Sequence, residues 1–166
     1  MSRDDITAPE IELAIARHFN YRQHIIVPNV TWGWGLNYEA DIVVLTQAGY
    51  AWEIEIKTTA ADIRADLKKH HHHDSKRFKL LWFAVPEELA QNPNIPAHAG
   101  ILAVKREKND PWGTPRIETI RGPVVNRHAD KLSDSQRLDL LRLAAMRTWN
   151  LKAKLETQRN ARIVRG

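Results

Sequence analysis

The sequence predicts an α/β protein in which helices pack on a mixed sheet. Two observations carry that reading. Residues 51–57 alternate strictly, with Trp52, Ile54 and Ile56 facing one way and Glu53, Glu55 and Lys57 the other, the mark of a strand. The segments around it then follow in the order helix, three strands, helix, strand, an αβββαβ core with additions at its C-terminal end.

The first helix starts at Thr7-Ala8-Pro9-Glu10, where Thr7 can cap, Pro9 suits the first turn and Glu10 closes a capping box. Ile11, Ala14, Ile15 and Phe19 supply its apolar stripe, and it should end near Asn20. Residues 24–30 are β-branched and predict a first strand that stops at Pro28-Asn29. Residues 31–37, with two glycines and two tryptophans, predict a loop. Asp41-Ile-Val-Val-Leu45 is a second strand, and Gln47-Ala48-Gly49 turns it tightly into the third, giving an antiparallel hairpin.

Residues 60–72 lack Gly and Pro and predict a helix; residues 78–85 are an apolar strand ended by Pro86. That strand, helix, strand unit should be a parallel crossover. A further strand is expected at 100–104 and a loop at 110–115. Ser133-Asp-Ser-Gln136 offers a second capping box, followed by a long amphipathic helix over about 133–160. Its expected core stripe is Leu138, Leu141, Ala145, Trp149 and Leu155, with Arg137, Arg142, Arg147, Lys152 and Lys154 on other faces. A chain of 166 residues is one domain, with the core at about 7–106.

Composition narrows the function. The 166 residues are 43% apolar, enough for a packed core, and no apolar run approaches the length of a membrane span. The N-terminal residues lack the apolar run of a secretion signal, and a cytoplasmic protein without a membrane partner is expected. Cysteine is absent, which excludes disulfides, thiolate zinc sites and cysteine nucleophiles.

The net charge of +5 is concentrated in two places. Residues 57–79 carry seven Lys/Arg against three Asp, with His70–His73 among them; residues 147–166 carry six against Glu156. Such patches fit a polyanion such as nucleic acid, and they equally fit a solvated surface. Four consecutive histidines could bind a soft metal adventitiously, but on a helix they point in different directions and define no single site.

The strongest chemical signal lies in the hairpin. An antiparallel pair brings the start of one strand beside the end of the next, so Asp41 should lie near Glu55 or Lys57. Two carboxylates and an ammonium then share one region. Mg²⁺ takes oxygen ligands of this kind, one or two carboxylates plus water and phosphate oxygens, and a nearby lysine can orient or deprotonate the attacking water. About one acidic-x-Lys tripeptide is expected by chance, and the chain holds three, at Glu55, Asp66 and Asp74. Context selects the first. The competing interpretation is a polar strip of cross-strand ion pairs, for example Asp41 with Lys57.

In this order, a Glu-bearing helix, Asp41, Glu55-x-Lys57, a helix and a strand, the chain resembles the PD-(D/E)XK nuclease superfamily over residues 7–106. Glu53-Ile-Glu-Ile-Lys57, Asp74-Ser-Lys76 and Trp82-Phe-Ala-Val-Pro86 are similar to small bacterial and phage nuclease-like proteins, including MmcB-like DNA-repair proteins. The resemblance implies a restriction-endonuclease-like fold and a Mg²⁺-dependent deoxyribonuclease, with Mn²⁺ substituting and DNA as partner. Asp41 and Glu55 look like the metal-binding carboxylates, Ile56 like the carbonyl ligand and Lys57 like the water-activating lysine. Glu39-Ala40 precedes Asp41 where the family pattern has a proline.

Many members also use a glutamate from the first helix. Glu10 and Glu12 compete for that role; Glu10 is occupied by the capping box, so Glu12 is the expected one. Glu53 could assist a second metal or pair with a basic residue across the strand. Arg64, Lys68, Lys69 and Lys76 are expected phosphate contacts, and Trp32 and Trp34 are candidates for base stacking, although tryptophans are core by default. With no sequence-reading module apparent, cutting is expected to follow DNA structure, and paired cuts would call for a homodimer. The rival from another class is a catalytically idle nucleic-acid-binding protein with the same fold.

Overall fold

The computed structural model describes residues 6–31, 34, 36–66, 76–106 and 115–163. The elements run α1 (Ala8–His18), β1 (Ile25–Val30), β2 (Ala40–Leu45), β3 (Ala51–Ile56), α2 (Ala60–Asp66), β4 (Phe78–Pro86), β5 (Gly100–Lys105), β6 (Arg116–Arg121) and α3 (Asp134–Ile163). The six strands form one sheet in chain order, antiparallel except for the parallel pairs β3–β4 and β4–β5. Helices flank the sheet, so the molecule is a mixed α/β fold with a long C-terminal helix.

Both expected helix starts form. The Thr7 amide and hydroxyl donate to Glu10 Oε2 at 2.9 and 2.8 Å, and Ser133 and Gln136 bond each other reciprocally at 2.8 and 3.3 Å. Asn20, left-handed at φ 53°, turns the chain away after α1. The β2–β3 turn needs Gly49, which sits at φ +88° against the Arg137 guanidinium, where a Cβ would collide.

Three apolar clusters hold the layers together. On one face Ile11, Ala14 and Ile15 of α1 pack on Ile42, Val44, Ile54, Trp82, Ala84, Leu102 and Val104. On the other, Leu132 and Leu140 cover Val27, Val30, Val43, Leu45 and Phe78 together with Trp34 and Leu36. Also on that second face, Ile63 of α2 and Ile95 cover Leu81, Phe83, Val85, Ile101 and Ala103.

The structure corrects the sequence reading at several points. β1 does not stop at Pro28-Asn29 but continues to Val30, because Asn29 takes a left-handed φ of 52° that bends the strand without ending it. β6 was not expected; Arg116-Ile-Glu-Thr-Ile-Arg is an edge strand whose residues are exposed or half-buried, so little apolar patterning betrays it. The predicted core stripe of α3 is the wrong face. Leu138, Leu141, Trp149 and Leu155 are 47%, 44%, 68% and 55% exposed, and contact is made instead by Leu140, with Leu143 and Ala144 beside it. α2 is described only to Asp66, so the expected extension through residue 72 lies outside the described residues.

Candidate active site

The site grows from the register of three strands. Pairing of Ile42 with Ile54 sets Asp41, one residue earlier on β2, level with Glu55, one residue later on β3. Pairing of Pro28 with Ile42 and of Val30 with Ala40 likewise sets Asn29 level with Asp41. The left-handed Asn29 breaks the alternation there. Val27 and Val30, three residues apart, join the same cluster, and so do Ala40 and Val43 across from them. Asp41 sits at this irregularity, half-buried, and its Oδ2 accepts the Ile56 amide at 2.7 Å.

Glu53 and Glu55 project from β3 into the seam between the two clusters of the second face. Their strand neighbours there are apolar, Val43 beside Glu53 and Leu81 and Phe83 on β4. Glu53 is fully buried and accepts the Tyr38 hydroxyl at 2.6 Å. Glu55 Oε2 lies 2.6 Å from Lys57 Nζ, and Lys57 Nζ lies 3.0 Å from Asp66 Oδ1. All three side chains are less than a tenth exposed. Lys57 thus links Glu55 to Asp66 in a chain that ties the end of β3 to the last turn of α2. Glu53 takes the Tyr38 hydroxyl.

Burial and charge act together on these groups. Burial raises Glu55 to about 7; the charges of Asp41 and Glu53 add to the rise, while Lys57 opposes it. Burial alone would lower Lys57, but Glu55 and then Asp66 outweigh it and hold the ammonium protonated above its usual range. Tyr38 is pushed up by burial and by Glu53, so it stays a hydrogen-bond donor. Lys57 thus serves Glu55 and Asp66 together, and Asp41 and Glu53 add negative charge beside Glu55.

On α1 the two competing glutamates part ways. Glu10 accepts from Thr7 and from Arg106 Nη2 at 2.5 Å, which together hold it down at about 2. Glu12 is half-buried, and burial and the nearby charge of Asp41 push it up. The structure therefore brings together Asp41, Glu55, Ile56 and Lys57, with Glu12 at the margin. Among the described residues no group of three or more His, Cys, Asp or Glu side chains converges to hold a metal ion. A Mg²⁺ site needs fewer protein ligands than that, since the ion keeps several waters.

Other expected contacts fall elsewhere. Arg64 is exposed on α2. Lys76 precedes Phe78, which pairs with Ala51 at the start of β3, so it sits a strand length from Lys57 at the end of β3. There it lines a small polar cavity of about 260 Å³ with Arg77 and Lys131. Lys68, Lys69, the four histidines and Trp32 lie outside the described residues. Trp34 is not a stacking platform: it is 3% exposed, donates Nε1–H to the Gln136 carbonyl at 2.9 Å and lies under the Arg77 guanidinium.

Two participants were missed. Tyr38 follows a glycine-rich loop with no strand period to assign its direction. Asp66 belongs to one of the tripeptides set aside as chance matches, yet its position at the end of a helix directly after β3 was the available signal.

No model of a known protein family matches the chain, and no curated protein sequence matches it. A solved structure does: a protein of unknown function from Silicibacter pomeroyi superposes with a TM-score of 0.64 at 21% identity, over 92% of this chain and 93% of that one. At that identity the likeness concerns the fold alone.

Proposed function

We propose that the chain is a metal-dependent deoxyribonuclease of the PD-(D/E)XK type, cutting DNA by its structure and not by its sequence. The observation that carries this reading is the placement of Asp41 level with Glu55, with Lys57 Nζ 2.6 Å from Glu55. The donor set suits a hard cation: Asp41, Glu55 and the Ile56 carbonyl would hold Mg²⁺ or Mn²⁺, all through oxygen. When bound, such an ion supplies charge to the phosphorane transition state and lowers the pKa of a coordinated water.

The chain's own residues do the rest. Lys57, engaged by Glu55 and Asp66, donates a hydrogen bond that orients the attacking water. Asp66 positions Lys57 from α2. Glu12, facing Asp41's charge, is the further carboxylate able to orient a water or the ion. In the in-line displacement the water oxygen bonds phosphorus as the P–O3′ bond breaks, and the proton the water loses passes through solvent to the leaving 3′ oxygen.

A second reading, a nucleic-acid-binding protein that no longer cuts, is favoured by one observation: Lys57 is enclosed and already engaged by two carboxylates. Incubation of plasmid and single-stranded DNA with Mg²⁺ or Mn²⁺ separates the two. Cleavage by the wild-type chain, lost in Asp41→Asn and Lys57→Ala at equal folded concentration, supports the enzyme. Cleavage unchanged in both variants discards the assigned site, and binding without cleavage under either metal establishes the second reading.

A further inference from the structure

A groove of about 920 Å³ runs along the open edge of the sheet, between α1, β1 and the second half of α3. Its floor includes Pro28 and Asn29 of the edge strand β1, one wall includes Glu12 of α1, and the other includes Arg147, Thr148 and Lys154 of α3. Three features say what it accepts.

The floor does not suit an added peptide strand. Pro28 removes a ladder donor, Asn29 is left-handed, and the Asn29 carbonyl is already taken by Arg147 Nη2. The α3 wall carries two cations, Arg147 and Lys154, and no acid, among Thr148, Asn150 and small or apolar residues. The inner end lies beside Asp41, since Asn29 of the floor is level with Asp41 across the β1–β2 pair and the Asp41 charge acts on Glu12 of the wall. Acid gathers at the end where chemistry is proposed, and base along the approach.

Resting on the nuclease reading, we propose that this groove carries an unpaired single strand of DNA toward Asp41, with Arg147 and Lys154 on its phosphates. Arg147 is anchored by Asn29 through one of its five N–H donors, which leaves the guanidinium fixed in direction on the wall. Lys154 and Thr148 are exposed, so substitution there leaves the core intact.

The test needs no cleavage. Fluorescence anisotropy of a labelled oligothymidine and of an equally long hairpin duplex is measured in EDTA with the wild-type chain, Lys154→Glu, Thr148→Trp and Arg142→Glu. Lys154→Glu reverses a charge in the groove, Thr148→Trp fills it without changing charge, and Arg142→Glu makes the same reversal on another face of α3. Lys154→Glu and Thr148→Trp should each weaken single-strand binding about tenfold, with Arg142→Glu changing it by less than about threefold. The salt slope should fall by about 1–2 in Lys154→Glu.

Equal loss in Lys154→Glu and Arg142→Glu would reduce the groove to a diffuse field. An unchanged affinity in Thr148→Trp, or binding confined to the duplex, would overturn the proposal outright. The pattern expected here, in a protein that cuts nothing with Mg²⁺ or Mn²⁺, would sink the enzyme and leave the strand track. Cleavage unaffected by the groove variants would do the reverse.

Discussion

Glu55 shows how a single side chain links burial, charge and stability. Burial pushes its carboxyl up to about 7 in the folded protein, above the ordinary glutamate value of 4.5. At pH below the unfolded value both states hold the proton and the group adds no penalty. Between the two values the unfolded chain releases a proton that the folded chain retains, so this group's contribution to stability is lost as pH rises toward 7. With metal chelated, the wild-type melting temperature should therefore decline relative to that of Glu55→Gln between pH 4.5 and 7.5. Thermal melts across that range check it, and a difference independent of pH would show that Glu55 titrates normally. Asp66 is the counterpart: a helix residue whose carboxylate, 3.0 Å from Lys57, keeps the ammonium from being shared by Glu55 alone.

At the level of elements, α3 teaches the most. Thirty residues long, it packs on the sheet edge through Leu140 and its neighbours, and from Arg147 to Lys154 it flanks the groove beside β1 without closing onto it. An apolar residue in that second half has no layer to enter. Leu140→Ala should accordingly cost about 2–5 kcal/mol, because it opens a cavity under a fully buried side chain. Trp149→Ser and Leu155→Ser should each stay within about 0.5 kcal/mol of wild type, since both are more than half exposed. Chemical denaturation of the three variants measures this. A helix period identifies α3, and Ser133-Gln136 identifies its start, but neither says which stripe meets the sheet. Edge strand β6 was illegible for the opposite reason: it buries so little that alternation is not required of it.

For the whole molecule, the sheet links groups from distant parts of the chain into a unit centred on Asp41 of β2, whose charge acts on Glu12 of α1 on one side and on Glu55 of β3 on the other, with Lys57 joining Glu55 to Asp66 of α2. If that unit takes a divalent cation in the folded state only, Mg²⁺ or Mn²⁺ at about 100 times its dissociation constant should stabilise the protein by about 2.7 kcal/mol. The wild-type melting temperature should rise with either metal and fall back with EDTA, and Asp41→Asn should abolish the response. Equal responses in both proteins would place the cation elsewhere. Among the described residues no helix is long and apolar enough to cross a membrane.

What the residues alone determined are the features whose physics is local. The period of two places Glu53, Glu55 and Lys57 on one face of β3, Gly49 turns the hairpin that sets Asp41 level with Glu55, and the capping boxes start α1 and α3. Tertiary structure alone decided the pairing of Lys57 with Asp66, the Tyr38 hydroxyl on Glu53, the stripe by which α3 binds and the groove it leaves open. Those depend on which surfaces meet once apolar layers close. Buried charge then takes whichever partner the closed layers bring within reach, and no spacing along the chain encodes that distance.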